Sequence, residues 1–164
     1  RRSRRRTALA MSPRLTLAVP VRNHAGRRGV PVARSFERWV RAALAGRRSG
    51  RVEVGIALFD ENDARRLNRE YRGKDYATNV LSFPYAAVRG ERSALLGELA
   101  LCPAVVAREA RAQGKHVRDH FAHLTVHGVL HLIGYDHESA RDAEHMEAIE
   151  RRVLAGPGIA APYA

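Results

Sequence analysis

The feature that most constrains this chain is the stretch His127-Gly-Val-Leu-His-Leu-Ile-Gly-Tyr-Asp-His137, which must be helix at one end and turn at the other. His127 and His131 are four apart, so on a helix their imidazoles lie one turn apart on one face and reach a common cation. Gly134 is the residue type that most readily takes the left-handed conformation that stops a helix, and Tyr-Asp then carries the backbone round to His137. The third imidazole is thereby folded back onto the first two. Three neutral nitrogens and an open fourth position are the ligand set of a catalytic zinc site rather than of a closed structural one.

A lone His-x3-His pair arises by chance in a chain with eight histidines, and its ordinary meaning is a helix face. The full His-x3-His-x2-Gly-x2-His string is far more restrictive and points to a metal site. Metzincin proteases share this spacing, but there the first His is followed by Glu, the general base, whereas here the residue is Gly128. A glycine cannot take a proton, which argues against peptide hydrolysis by that mechanism.

The chain of 164 residues is the size of one domain with one sizeable core. Its single cysteine, Cys102, excludes an internal disulfide and fits a reducing cytoplasm; it reads as a small buried hydrophobe, with fourth zinc ligand as the lesser reading. No apolar run has the length of a membrane span. The formal charge of +12 favours polyanionic partners such as RNA. Five arginines and no acid fall within residues 1–10, ahead of Met11, and setting them aside leaves +7. Such a leader mimics a transit peptide, yet Leu15 to Val19 already reads as a strand of the domain. Residues 1–12 are therefore expected to be a disordered extension or a mis-assigned start, residues 13–158 the domain, and residues 159–164 a tail.

Leu15, Leu17 and Val19 alternate with polar or small residues as a first strand. After a loop, Pro31 opens a helix to about Leu44 that carries Phe36, Trp39, Val40 and Leu44 on one stripe. Val52, Val54, Ile56 and Leu58 alternate as a second strand, and Asp60 is placed to cap a helix running to about Tyr71. Gly73 marks a turn, residues 78–83 read as a short strand stopped by Pro84, and residues 85–93 form a mobile loop. Leu95 to Cys102 is a fourth strand, and Pro103 to Gly114 a helix. The histidine-bearing helix spans about Val117 to Ile133; His116, His120, His123, His127 and His131 fall in one arc of it at 100° per residue. His120 and His123 read as cleft-lining residues rather than ligands. Ser139 caps a last helix with Met146, Ile149 and Val153 inward.

Two segments together resemble the YbeY family of single-strand-specific metallo-endoribonucleases: the histidine string above, and Tyr71-Arg-Gly-Lys-Asp-x-x-Thr-Asn-Val-Leu-Ser-Phe-Pro84. Leu96-Gly-Glu-Leu-x-Leu-Cys102 is similar to the family's Gly-Asp strand, with Glu98 in place of Asp. The resemblance implies a single zincin-like α+β domain, a mixed four-stranded sheet packed with helices in the order βαβαββααα. It implies one zinc ion on His127, His131 and His137 and a functional arginine at Arg72. It also implies single-stranded RNA as substrate, with ribosomal RNA and the small ribosomal subunit as partners in 3′ maturation and quality control. Neither DNA nor membrane is expected as a partner.

Arg72, before a Gly-containing turn, offers the planar fork that suits a phosphate, and Lys74 adds charge. The plain alternative for Arg72 is a salt bridge to a nearby acid. Asp136 either orients an imidazole or braces the turn. The general base is left open. Two rival readings remain: a non-catalytic, zinc-braced RNA-binding assembly factor, and a zincin-type peptidase.

Overall fold

In the computed structural model, which describes residues 14–156, the period-two pattern of the central strand places Val52, Val54, Ile56 and Leu58 in the interior. The elements in order are β1 (Leu15–Ala18), β2 (Val21–Asn23), α1 (Ala33–Leu44), β3 (Gly50–Leu58), α2 (Glu61–Arg72), β4 (Val80–Pro84), β5 (Leu95–Leu101), α3 (Pro103–Gln113), α4 (Val117–Leu132) and α5 (Ala140–Ala155). The sheet runs β1-β3-β5-β4, with β2 also on β3. All its pairings are parallel except that of β4 with β5. The expected 1–12 extension and 159–164 tail lie outside the described residues.

The α+β architecture is the expected one, with one addition: the sheet has five strands rather than four. Pro20 is the reason. Its carbonyl accepts the Ile56 N–H at 2.9 Å, but it has no N–H to return, so the outer strand breaks there. It resumes as β2 at Val21, against Ile56 to Leu58, where the sequence suggests only the start of a loop.

Local chemistry sets the helix ends. Asp60 Oδ1 accepts the Asp63 N–H at 2.9 Å, Ser139 Oγ accepts the Asp142 N–H at 3.0 Å, and Gly73 closes α2 at φ +68°. Helix α1 starts at Ala33, two residues later than Pro31 suggests, because Val32 is still extended. Phe36, Trp39, Val40 and Leu44 are buried as their stripe requires, and Phe36 meets the Phe121 ring of α4 edge-on at 6.0 Å.

Helix α4 is enclosed on most sides, by α1, α3, α5 and the sheet, which is why apolar residues surround much of it. Gly128 lets it approach the sheet closely. A Cβ at that position would lie 2.8 Å from Leu99 Cδ2 and 3.3 Å from Ser82 Oγ, and Ser82 Oγ donates to the Gly128 carbonyl at 3.2 Å. Gly97 in β5 sits at a bulge that leaves Leu96 unmatched on β3; its φ is +156°, and a methyl there would run into the Phe83 carbonyl.

Gly128→Ala should gain about 1 kcal/mol of helix propensity but lose about 1–3 kcal/mol to overpacking, a net destabilisation. Gly97→Ala should be worse, because the obstructing atom is backbone. Urea denaturation checks both: midpoints that fall in the order parent, Gly128→Ala, Gly97→Ala are expected, and unchanged midpoints would contradict the packing described.

Candidate metal centre

Two histidines one helical turn apart and a third beyond the helix end converge as their spacing suggests. His127 and His131 bring their Nε2 atoms to 3.1 Å, and the His137 ring centroid lies 5.6 Å from that of His127 and 4.9 Å from that of His131. One nitrogen from each lies within 4.8 Å of the others. The backbone that turns His137 inward is held by two bonds: the Gly134 N–H donates to the His131 carbonyl at 3.1 Å and the Tyr135 N–H to the Leu130 carbonyl at 3.0 Å. With Gly134 at φ +104°, this is the glycine-terminated helix end in which left-handed backbone satisfies the last carbonyls. Tyr135 packs onto the core beside it and anchors the turn.

Bonds of about 2.0–2.1 Å from zinc to imidazole suit nitrogens a little over 3 Å apart, as His127 and His131 hold theirs, and the three-nitrogen set fits the protein ligands of a tetrahedral cation. Burial first, then the neighbouring His127 and His137, pushes the His131 pKa down to about 4. Its ring is thus neutral at physiological pH, with a lone pair to give.

Glu150, which no sequence motif singles out, is fully buried and meets His127 Nδ1 at 2.5 Å and His123 Nε2 at 3.3 Å. By accepting a hydrogen bond from Nδ1–H, Glu150 fixes the His127 tautomer and leaves Nε2 for the cation, a carboxylate-histidine-metal relay. The signal was present but quiet: Glu150 is four residues after Met146 and beside Ile149, so it stands on the inward stripe of α5, where an acid needs a partner. His123, His127 and Glu150 also form a second cluster with metal-ligand spacing, but one whose nitrogen and oxygen atoms are engaged with one another.

The three imidazoles line a cleft of about 1050 Å³, at the top of the range for small-molecule pockets and roomy enough for more than a small ligand. Edge strand β4 forms one wall, and the α4 histidines and Glu109 the other. His120 and His123 line it, as expected. His120 Nε2 lies 3.0 Å from Glu109, which also accepts from Asn79 Nδ2 at 2.9 Å; burial lowers the His120 pKa, partly offset by Glu109.

Arg72, the last residue of α2, lines the cleft beside Tyr71, whose ring meets Phe83 at 4.5 Å. The plain alternative for this arginine is not realised: Arg65 and Arg69 take Asp75, at 2.8 and 3.8 Å, and Arg72 forms no ion pair among the described residues. Lys74 lies outside the cleft lining and Lys115 within it. Asp136 braces the turn by accepting the Glu138 N–H at 3.2 Å. Cys102 is buried with Ala64 and Val105, its thiol pKa raised by burial, and belongs to neither metal-spaced cluster. Glu98 points away from the chemistry, crossing β3 over Gly55 to pair with Arg22.

A family model described as Endoribonuclease YbeY matches residues 22–157. The chain is 56% identical over 142 residues to the endoribonuclease YbeY of Alkalilimnicola ehrlichii, covering 85% of this chain and 86% of that protein. Its identity to the endoribonuclease YbeY of Stenotrophomonas maltophilia is 54% over 142 residues, or 84% and 88% of the two chains. A solution structure of a Thermotoga maritima protein superposes with a TM-score of 0.57 at 25% identity, covering 85% of this chain and 91% of the other.

Glu150→Gln keeps the shape of the side chain and removes its charge. It should weaken divalent-metal affinity by about 10–100-fold in a chelator competition titration. Parent-like affinity would show that His127 is oriented without this carboxylate.

Proposed function

The chain belongs to the YbeY endoribonuclease family, and from that premise we propose that it cuts single-stranded RNA with one zinc ion on His127, His131 and His137 and with Arg72 holding the phosphate. The observation that carries this reading is the convergence of three imidazoles on a large cleft that Arg72, with no ion pair among the described residues, also lines. The family is one of metal-dependent hydrolases acting on RNA. Ribosomal RNA near the 3′ end of the small-subunit transcript, the small subunit itself and a cytoplasmic location complete the proposal. No described helix is long and apolar enough to cross a membrane.

A zinc ion bound there supplies a double positive charge that acidifies an attacking water or polarises a phosphate oxygen. Glu150 keeps the His127 ring turned so that its Nε2 faces the cleft. Arg72 offers two parallel N–H groups to a phosphate and to the greater negative charge of its transition state. Lys115, further along the same cleft, provides point charge for a neighbouring phosphate. The open cleft leaves room for the attacking oxygen, which favours catalysis over a zinc that only braces the turn.

The geometry also weighs against a peptidase. Position 128, where metzincins carry their base, faces Leu99 and Ser82 of the sheet, so a glutamate side chain would have no room there.

His131→Ala and Arg72→Ala should each abolish cleavage of a labelled single-stranded RNA, while Arg72→Ala retains the zinc measured by elemental analysis. Nuclease-free preparations of both variants that cleave like the parent would show that the chemistry lies elsewhere.

A further inference from the structure

The cleft does not explain the charge of the chain. Of its lining residues Arg72 and Lys115 are the fixed cations, and Glu109 opposes them. Apart from the five arginines of residues 1–10, part of the surplus gathers elsewhere. A depression of about 760 Å³ is lined by Arg14, Arg41, Arg47 and Arg48, and an adjoining one of about 450 Å³ by Arg38, Arg41, Arg47 and Arg152. Arg41 and Arg47 belong to both, so this is one continuous surface. It comprises six arginines from the start of β1, the end of α1, the turn after it and the end of α5, and no acid lines either hollow.

This surface shares no residue with the cleft, but it abuts the turn that carries the third imidazole. Arg48 donates to the Arg47 carbonyl at 2.7 Å and to the Ile133 carbonyl at 3.4 Å, and Ile133 is four residues before His137. Arg47 donates to the Ala45 carbonyl at 3.4 Å, and Arg41 pairs with Glu37 at 3.1 Å. Helix dipoles favour Arg41 and Arg152 in the last turns of α1 and α5, by about 0.3–1 kcal/mol each. Two helix ends do not call for six like charges in one place, where each opposes the others. A polyanion does, and guanidinium groups are the donors that suit phosphate.

We propose that this arginine surface is a second RNA-binding site, gripping the phosphate backbone of the strand beyond the cleft and past the His137 turn. It rests on the nuclease reading above. The cleft positions the scissile phosphate; the arginines supply affinity for RNA too long for the cleft to contain.

The test compares the parent with a variant carrying Arg14→Gln, Arg41→Gln and Arg152→Gln, and with a control carrying Arg66→Gln, Arg108→Gln and Arg111→Gln on α2 and α3. The probes are a labelled RNA of about forty nucleotides and one of about six, each strand contact contributing about 0.7 to the salt slope of binding. The first variant should bind the longer RNA with a salt slope smaller by about two, and cleave the short one at the parental rate. The control should keep the parental slope. An unchanged slope in the first variant, an equal loss in the control, or competition by polyglutamate as strong as by RNA would each overturn the proposal. A parent that neither binds nor cuts either RNA would overturn the nuclease reading together with this surface, whereas normal cleavage with an unchanged slope overturns the surface alone.

Discussion

A buried carboxylate holds the site together. Glu150 has no solvent exposure, and a charge in that position is costly unless partners satisfy it. Its partners are imidazoles of α4, so α5 cannot shift along α4 without stranding the acid or freeing His127. The packing of the last helix and the orientation of a metal ligand are therefore a single constraint. Met146, Ile149, Val153 and Leu154 of the same helix are buried in the hydrophobic core, so α5 carries the acid inward along with its apolar stripe.

Gly128 shows how the same helix serves two faces. One edge of α4 must present imidazoles to the cleft, and the edge about 100° round must lie against β5 and β4. The first needs polar side chains and the second needs none at all. A helix that approaches the sheet closely enough for Leu99 to touch its backbone places the His127 ring beside β4, where the cleft begins. The glycine next to His127 thus belongs to the packing of the fold as much as to the chemistry it withholds.

What the sequence revealed and what it concealed divide along the range of the interactions. Caps and breaks depend on neighbours, so Asp60, Gly73, Gly114, Ser139 and Gly134 could be assigned from the chain, and so could the inward stripes of α1 and α5. The histidines of the 127–137 segment belong to the same class, since helix and turn geometry alone bring them together. Glu150, Glu109, Asn79 and Lys115 were not legible, because their meaning comes from contacts between distant elements: Glu109 meets Asn79 and His120 only after α3, β4 and α4 have packed. Strand β2 was hidden for another reason: three residues after a proline are too few to show a period, and only β3 beside them makes them a strand.

The break at Pro20 has an outcome for the molecule's behaviour among other copies of itself. The outer margin of a sheet is ordinarily a template on which a foreign chain can continue the ladder. Here that margin is cut at a proline into pieces of four and three residues, so an incoming strand would find no straight run long enough to zip onto. The same proline that shortens the sheet's first strand thereby makes that border a poor seed for aggregation.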